Sequence, residues 1–173
     1  MFAAICGHID VARYLVGAGA DLAASNKYGW TALMLAAYNG HIEVAQYLVG
    51  AGADLAAKDK EGKTALMCAA MSGHTDVARY LVGAGADLAA ARPDGMTALM
   101  WAAEKGHVEV AKYLVDKGAD LATARHDGRT ALMHAAQEGH VDMAKYLVGA
   151  GADLAAARPD EMTALMFAAH NGY

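Results

Sequence analysis

The sequence predicts an all-α solenoid, a linear stack of antiparallel helix pairs joined by hairpin-like finger loops. The string TALM-x-AA-x-x-GH-x-x-x-A-x-YLV-x-x-GADLA recurs along the chain, and the numbers of its successive threonines differ by 33. A fixed period of this length is typical of solenoids, in which each unit contacts only its neighbours. Apolar residues also recur at helical spacing inside each unit, and a glycine follows each apolar run.

The repeat divides one predicted domain, residues 1–173, into four complete units between two partial ones. The predicted bounds are 1–30 (partial), 31–63, 64–96, 97–129, 130–162 and 163–173 (partial). A single helix pair buries too little apolar surface to be stable alone, so stacking must supply the stability.

The first helix of a unit is predicted from the segment that follows Thr31. Its hydroxyl suits an N-cap, because it can accept a hydrogen bond from an amide in the first turn. Leu33, Ala36 and Ala37 then lie at i, i+3 and i+4 and form one apolar face. Gly40 is expected to end this helix, and the alanines allow neighbouring helices to approach closely.

A second helix is predicted to begin at His41 and to stop at Gly52, a residue suited to the left-handed C-cap conformation. Four apolar residues are expected to face inward: Val44, Ala45, Leu48 and Val49. Both helices are short and would be marginal in isolation.

A finger loop follows, with the turn sequences NKYG, DKEG, RPDG and RHDG in successive units. Proline at the second turn position and glycine at the fourth fit a type I turn. In the last finger Glu161 replaces the glycine. This substitution would cost about 1–2 kcal/mol at positive φ, so we expect residues 158–161 to form a distorted finger, or this end of the array to be less ordered.

The whole pattern resembles the ankyrin repeat, and the motif order T-x-L, AA, GH, L-V, GAD covers essentially all of the chain. The sequence departs from the family at two positions. Methionine stands where the family usually has histidine, at Met34, Met67, Met100, Met133 and Met166. Alanine stands where asparagine is usual, at Ala56, Ala89, Ala122 and Ala155. The resemblance implies that the usual side chains form inter-repeat or loop hydrogen bonds, so this array should depend more on apolar packing.

Bulk composition excludes several classes of function. The net charge of −5 argues against a nucleic-acid surface. Although 56% of the residues are hydrophobic, no stretch approaches the ~20 apolar residues of a membrane span. Cys6 and Cys68 lie two units apart, too far for a disulfide, and are expected to be small buried or half-buried hydrophobes. Free thiols predict a reducing, cytoplasmic location.

No metal site, cofactor site or catalytic centre is predicted. The five Gly-His histidines occur once per unit, about 10 Å apart, whereas ligands of one zinc ion lie within ~4 Å of each other. A structural role at the start of the second helix is therefore favoured. The aspartate of GAD also occurs once per unit, in repeated identical surroundings that do not suit paired-carboxylate catalysis. It is expected to bond backbone amides in the loops.

The informative residues are those at which the units differ. They follow TALM, lie three and four residues later on the same helical face, or belong to the fingers. The resemblance implies that these positions line a concave groove that holds partners; the alternative is drift at unconstrained surface sites. The predicted partner-binding residues are Tyr28, Trp30, Leu35, Tyr38, Asn39, Met71, Met96, Trp101, Glu104, Lys105, Arg129 and His134. An apolar strip between Trp30 and Trp101 is the expected anchor site, unless Trp101 packs between helices.

The favoured function is a non-enzymatic scaffold that binds another protein along its concave face and fingers. One alternative is self-assembly through the ends, because Leu165, Met166 and Phe167 would have no second helix to pack against. Others are an ankyrin segment of a larger enzyme or channel, or an engineered, consensus-like array. The last is suggested by GADLAAARPD, which occurs at both 85–94 and 151–160.

Overall fold

The computed structural model describes residues 2–173, and these fold into eleven α-helices linked by turns and isolated β-bridges. The helices are α1 (Phe2–Cys6), α2 (Ile9–Gly17), α3 (Ala32–Asn39), α4 (Ile42–Gly50), α5 (Ala65–Ser72), α6 (Thr75–Gly83), α7 (Ala98–Lys105), α8 (Val108–Asp116), α9 (Ala131–Gln137), α10 (Val141–Gly149) and α11 (Ala164–His170). The predicted all-α fold of stacked helix pairs is confirmed. None of these helices is long and apolar enough to cross a bilayer.

The chain forms two compact units, each made of several 33-residue repeats. The first ends at Asp87 and the second comprises Leu88–Tyr173, and we call these two the first unit and the second unit. In the first unit, α1, α3 and α5 pack side by side in one row, and α2, α4 and α6 form another. In the second unit, α9 lies against both α7 and α11, while α8 contacts α10. The first helix of each helix pair contains an Ala-Ala pair, whose small side chains are fully buried in α3 and α5 of the first unit and in α7 of the second.

Methionine fills the core beside those alanines, as predicted. Met34, Met67, Met100 and Met133 are almost completely buried, whereas Met166 in α11 is about half exposed. The flexible thioether side chain suits an irregular gap between helices.

Threonine begins the first helices, as predicted. The Thr31 hydroxyl accepts a hydrogen bond from the Met34 amide (3.3 Å), and Thr64 does the same for Met67 (3.4 Å). Gly40 ends α3 in the left-handed conformation, with a φ of 76°. Positive φ favours glycine because it has no Cβ.

The Gly-His dipeptide links one helix pair to the next, which confirms the structural role predicted for the histidines. His74 Nε2 lies 3.1 Å from the carbonyl oxygen of Tyr38, and His41 Nε2 lies 2.8 Å from that of Ile5. The His74 ring lies over Gly40 so closely that an added Cβ would be 2.5 Å from Nδ1. Glycine is therefore required here for two independent reasons, its φ and the space taken by the ring.

Tyr173 occupies the histidine position of this motif, 33 residues after His140. Its ring lies over Gly139, where an added Cβ would be 2.6 Å from Cε1. Tyrosine lacks a ring N–H, and Asn171 Nδ2 donates instead to the carbonyl of Gln137 (2.9 Å). The stacking and hydrogen-bonding functions of one histidine are thus divided between two residues.

Each finger is a short hairpin that ends at the capping threonine. In the finger of residues 25–31, the Asn26 amide donates to the Trp30 carbonyl (3.0 Å), and Gly29 N donates to Asn26 O (2.9 Å). The next finger, residues 58–64, joins it through a bond from Lys60 N to Tyr28 O (3.1 Å).

The fingers of the second unit comprise residues 91–97, 124–130 and 157–163. The equivalent link runs from His126 N to Asp94 O (3.0 Å). Pro159 has no N–H to continue this series, and Arg158 Nε donates to Asp127 O (3.2 Å) in its place. A side chain thus restores the link that the proline removes.

The last finger is not distorted, so that alternative of the expectation was wrong, while the other, a less ordered end of the array, stays a prediction. The amide of Arg158 donates to Met162 O (3.0 Å) and Glu161 N donates to Arg158 O (2.9 Å), as in the other fingers. Glu161 itself adopts a φ of 65°, the one positive φ among the described non-glycine residues. The turn hydrogen bonds hold the glutamate in the glycine conformation, so the cost is a local strain.

Phe167 in α11 is also better packed than expected. It is buried, and the guanidinium carbons of Arg129 and Arg158 lie 5.8 and 5.7 Å from its ring centroid. Leu165 and Met166 remain exposed, as predicted. Finger arginines therefore cover an aromatic side chain that has no second helix beside it.

Replacing Gly40 with alanine should lower the free energy of unfolding by about 2–4 kcal/mol, because a Cβ is strained at positive φ and collides with the His74 ring. Chemical denaturation of the purified chain measures the effect. Gly50→Ala is the matched control, since nothing lies within 4 Å of a Cβ there, and it should gain about 0.5–1 kcal/mol in a helix. Equal effects of the two substitutions would contradict the proposed contact.

Glu161→Gly should raise stability. Relief of the left-handed strain, about 1–2 kcal/mol, is partly offset by the greater freedom of glycine in the unfolded chain, which leaves a gain of about 0.5–1 kcal/mol. The corresponding rise in melting temperature is about 1–3 °C. Glu161→Ala keeps the Cβ and should show no such rise. A melting temperature that falls with Glu161→Gly would show that the glutamate is not strained.

Candidate protein-interaction surface

Nine of the twelve predicted partner-binding residues have accessible side chains. Tyr28, Tyr38, Asn39 and Lys105 are exposed. Trp30, Met71, Trp101, Glu104 and Arg129 are partly exposed. They belong to the finger loops and to the ends of the first helices, and we call the surface that these elements form in each unit its finger face.

The other three are buried, and their expected exposure was wrong. Leu35, Met96 and His134 retain only 8%, 2% and 1% of their accessible surface. Leu35 is buried because α3 packs against a first helix on each side and against α4. His134 is enclosed similarly in α9, which contacts α7, α10 and α11. The residue after TALM is therefore buried at Leu35, Cys68, His134 and Phe167. Trp101 is the described exception, because it holds the same position and is partly exposed.

Three aromatic residues lie on the finger face of the first unit, Tyr28 and Trp30 on the finger of residues 25–31 and Tyr38 in α3, and we call them the aromatic cluster. The Trp30 and Tyr38 ring centroids are 5.3 Å apart in an edge-to-face arrangement, with an interplanar angle of 73°. Tyr28 and Tyr38 are 59% and 41% exposed. Asn26 orients the finger part of this aromatic cluster, because its Oδ1 accepts from Tyr28 N (2.9 Å) and Trp30 N (3.0 Å).

Lysines lie against two of these rings. Lys27 Nζ is 4.9 Å from the centroid of the Tyr28 ring, and Lys63 Nζ is 5.5 Å from that of Trp30. A cation at this distance is attracted by the negative ring face. Lys63 is itself buried and forms ion pairs with Asp59 (3.5 Å) and Glu61 (3.1 Å).

Asp59 holds that second finger in shape. Its Oδ1 accepts hydrogen bonds from Glu61 N (2.9 Å) and Lys63 N (2.8 Å). One oxygen of the Asp59 carboxylate is thus used to bond the backbone of its own loop. The ion pair with Lys63 places the lysine ammonium beside Trp30. The ion pair of Asp59 and Lys63 therefore helps to position Trp30 of the aromatic cluster.

The finger face of the second unit is an ionic network instead of an aromatic one. Arg125 Nη2 lies 3.0 Å from Asp94 Oδ2, and Arg129 Nε lies 3.2 Å from Asp127 Oδ2. Burial alone would raise the pKa of Asp127, but the hydrogen bond from the Arg129 amide and the positive charges of Arg125, Arg129 and Arg158 lower it overall. These arginines are already neutralised by carboxylates within the face.

Trp101 lies in this network and is partly covered. The guanidinium carbon of Arg92 and the ammonium of Lys105 are 5.8 and 5.9 Å from its ring centroid. Its indole Nε1 is buried without a hydrogen-bond partner among the described residues. Trp101 thus combines an accessible ring surface with a buried polar edge.

His134 is a buried titratable group. Its Nδ1 lies 3.5 Å from Glu104 Oε2. Burial lowers its pKa to about 4, with Arg125 and Arg129 acting in the same direction and Glu104 and Asp127 opposing them. The imidazole is therefore neutral at physiological pH, and its role is in packing.

The remaining candidate groups serve the loops or the core. Asp54 Oδ1 accepts from Ala56 N (2.8 Å), and Asp120 and Asp153 make the same bond, as predicted. Cys68 is buried, which raises the pKa of its thiol to about 12, whereas Cys6 is exposed, contrary to expectation. Within residues 2–173 no group of three or more His, Cys, Asp or Glu side chains is placed to hold a metal ion.

The lysines beside Tyr28 and Trp30 and the arginines over Phe167 were not predicted from the sequence. A signal was present for Arg158, because arginine recurs at one finger position, as Arg92, Arg125 and Arg158. That position holds Asn26 and Asp59 in the first two fingers, so it gave no signal for the lysines.

Threonine-capped helix pairs, joined by Gly-His contacts and hydrogen-bonded fingers, define a helical repeat protein with a finger-lined surface. A family model described as "Ankyrin repeats (3 copies)" matches residues 1–59, 51–125, 87–158 and 122–173, and the chain belongs to this family. No relative was found among curated proteins. Ankyrin repeats are generally protein–protein interaction modules and are typically non-catalytic.

Acidification should destabilise the protein through His134. Its pKa of about 4 in the folded state lies below the ordinary value near 6.5, so the unfolded chain takes up the proton first. Stability is complete above pH ~6.5 and falls as the pH drops towards 4, by about 2 kcal/mol at pH 5.

Denaturant unfolding at pH 7.5 and 5.0 measures this loss. His134→Gln should reduce the difference between the two values by about 2 kcal/mol. His126→Gln changes an exposed residue and serves as the control. The assignment fails if the pH dependence is the same in all three proteins.

Proposed function

We propose that this chain is a protein-binding module that holds its partner against the finger loops and first helices, the surface predicted to be concave. The observation that carries the proposal is the aromatic cluster, in which Tyr28 and Tyr38 are exposed and Trp30 is partly exposed. Asn26 bonds the backbone of the finger that carries Tyr28 and Trp30, and Lys63 lies against the Trp30 ring. Aromatic side chains are enriched at interface cores and lose little conformational entropy on binding.

The accessible residues of the second unit form a proposed site of their own. Trp101 offers a ring surface with Lys105 beside it, and Glu104 and Arg129 are partly exposed polar groups of the same finger face. An apolar centre with a polar rim is the usual anatomy of a protein interface. Asn39 and Met71 belong to the proposed site in the first unit. We propose that neither face carries a catalytic group and, on the two free cysteines, that the protein acts in the cytoplasm.

Self-association is a second candidate, favoured by one observation in the second unit. A cavity of about 620 Å³ is lined mainly by apolar groups that include Val141, Ala144, Val148 and Tyr173. A contact there would leave the aromatic cluster untouched. Substitutions of Tyr28 and Tyr38 therefore separate the two candidates.

Tyr28→Ala/Tyr38→Ala should abolish partner capture from a cell extract while changing the unfolding free energy by no more than about 1 kcal/mol, as exposed substitutions usually do. Affinity capture followed by quantitative mass spectrometry is the measurement. Tyr14→Ala is the matched control, because Tyr14 is 75% exposed but lies on α2, in the second row of helices. A partner that still binds the Tyr28→Ala/Tyr38→Ala variant but no longer binds Tyr14→Ala would place the binding site on the row formed by α2, α4 and α6.

A further inference from the structure

Positive charge is concentrated on the finger face of the first unit. The fingers of residues 25–31 and 58–64 carry four lysines and two carboxylates, a surplus of two positive charges. Elsewhere in the first unit, two arginines are outnumbered by six carboxylates. The charge of this surface is thus opposite to that of the unit as a whole.

Two of the lysines are placed around Tyr28. Lys27 is exposed with its ammonium over the Tyr28 ring, and Lys60 is exposed on the neighbouring finger, whose backbone N–H is bonded to the Tyr28 carbonyl. Lys63 differs, because it is buried and paired with Asp59 and Glu61. Lys58 is also exposed, at the start of the finger of residues 58–64. Lys27 and Lys60 are the two that contact Tyr28, one at its ring and one at its carbonyl, and they are therefore the cations that a group bound at Tyr28 would meet.

We propose that the partner segment bound here is acidic: an extended peptide with one large apolar side chain against Tyr28 and Tyr38, and Asp or Glu carboxylates beside Lys27 and Lys60. The inference rests on the proposed function and names the chemistry of the partner. A basic segment would meet like charge at Lys27 and Lys60, which suppresses wrong partners.

The separation of the charges supports this choice. The Debye length is about 8 Å at physiological salt, close to the ~10 Å diameter of one helix. Of the six carboxylates outside these fingers, Asp10, Glu43 and Asp76 lie on α2, α4 and α6, in the other row of helices, and salt largely screens exposed charges more than a Debye length away. Asp21, Asp54 and Asp87 lie in the loops that lead to the fingers, and Asp21 and Asp54 accept backbone N–H bonds within those loops. The lysines that contact Tyr28 are Lys27 and Lys60, and their attraction for an approaching carboxylate acts chiefly on the association rate.

The finger face of the second unit does not offer the same attraction. Its arginines are paired with Asp94, Asp127 and Asp160 at 3.0, 3.2 and 3.3 Å. Glu104 on α7 is paired with Lys105 at 3.0 Å, and Glu138, directly after α9, adds a further negative charge. An acidic segment is therefore favoured at the aromatic cluster and not at Trp101.

Selection of random 12-residue peptides displayed on phage against the immobilised 173-residue chain tests the proposal. Selected peptides should be enriched in Asp and Glu next to an aromatic or large aliphatic residue. Synthetic copies should bind at least tenfold more weakly in 300 mM than in 50 mM NaCl, as measured by fluorescence anisotropy. Peptides without acidic enrichment, or no selected peptide at all, would overturn the proposal.

Charge reversal provides the matched comparison. Lys27→Glu/Lys60→Glu should weaken the selected peptides at least tenfold, mainly through a slower association rate. Arg13→Glu/Lys145→Glu alters the net charge equally at exposed sites on α2 and α10 and should change affinity less than twofold. If both variants lose the same amount of peptide affinity, the net charge of the protein and not Lys27 and Lys60 determines binding, and the proposal is overturned.

The Tyr28→Ala/Tyr38→Ala variant separates failure of the inference from failure of the proposed function. Peptides that need both tyrosines but ignore Lys27 and Lys60 overturn the acidic partner and leave the binding face intact. Peptides that bind both variants as well as the original chain overturn the two together. Melting temperatures within about 3 °C show that every variant remains folded.

Discussion

The contact between a histidine ring and a left-handed glycine is the constraint on which the rest of the structure depends. In the first unit, His74 lies over Gly40 and approaches the carbonyl of Tyr38, which fixes one helix pair against the next. The ring fills the space of a missing Cβ, so the two pairs cannot slide or rotate without losing either the packing or the hydrogen bond. This registration keeps Tyr38 at a constant position relative to the finger that carries Trp30, and the edge-to-face contact follows. The proposed binding surface of the first unit is therefore positioned by the contact between His74 and the end of α3.

Polar side chains in this protein mostly stabilise its own loops. Asn26 and Asp59 hold the fingers of the first unit by accepting backbone N–H bonds, and Arg158 supplies a link that Pro159 cannot. Groups used in this way are not available for chemistry, which agrees with a family that is typically non-catalytic. The side chains left over differ between the units: aromatic rings with lysines in the first, paired arginines and carboxylates in the second. One repeated backbone thus presents two chemically different surfaces.

The sequence predicted the fold and its caps well because these depend on local features that repeat. Thr31, Gly40 and His41 each act within one helix pair or between neighbours, so their roles follow from the repeat alone. The candidate site was less predictable. Leu35 and His134 vary between units as surface residues do, but they are buried because helices pack against α3 and α9 from several directions. A difference between repeats at one position does not show that the position is exposed. A core residue can also differ between repeats when the residues of the neighbouring repeat that pack against it differ as well. The Glu161 finger shows the converse error, since the sequence indicated a strained residue but not that the turn would keep its shape.

The proline in the last finger also affects how that part of the molecule responds to force. A backbone N–H bond joins the finger of residues 124–130 to its predecessor, so displacing one finger pulls directly on the main chain of the other. The finger of residues 157–163 is held instead by the Nε of Arg158, at the end of a side chain with several rotatable bonds. A rotamer change of Arg158 would lengthen that tether while both hairpins keep their internal hydrogen bonds, but it would also uncover Phe167 of α11 and break the ion pair with Asp160. Displacing the last finger therefore acts on α11 through one side chain, whereas displacing the finger before it acts directly on a neighbouring main chain.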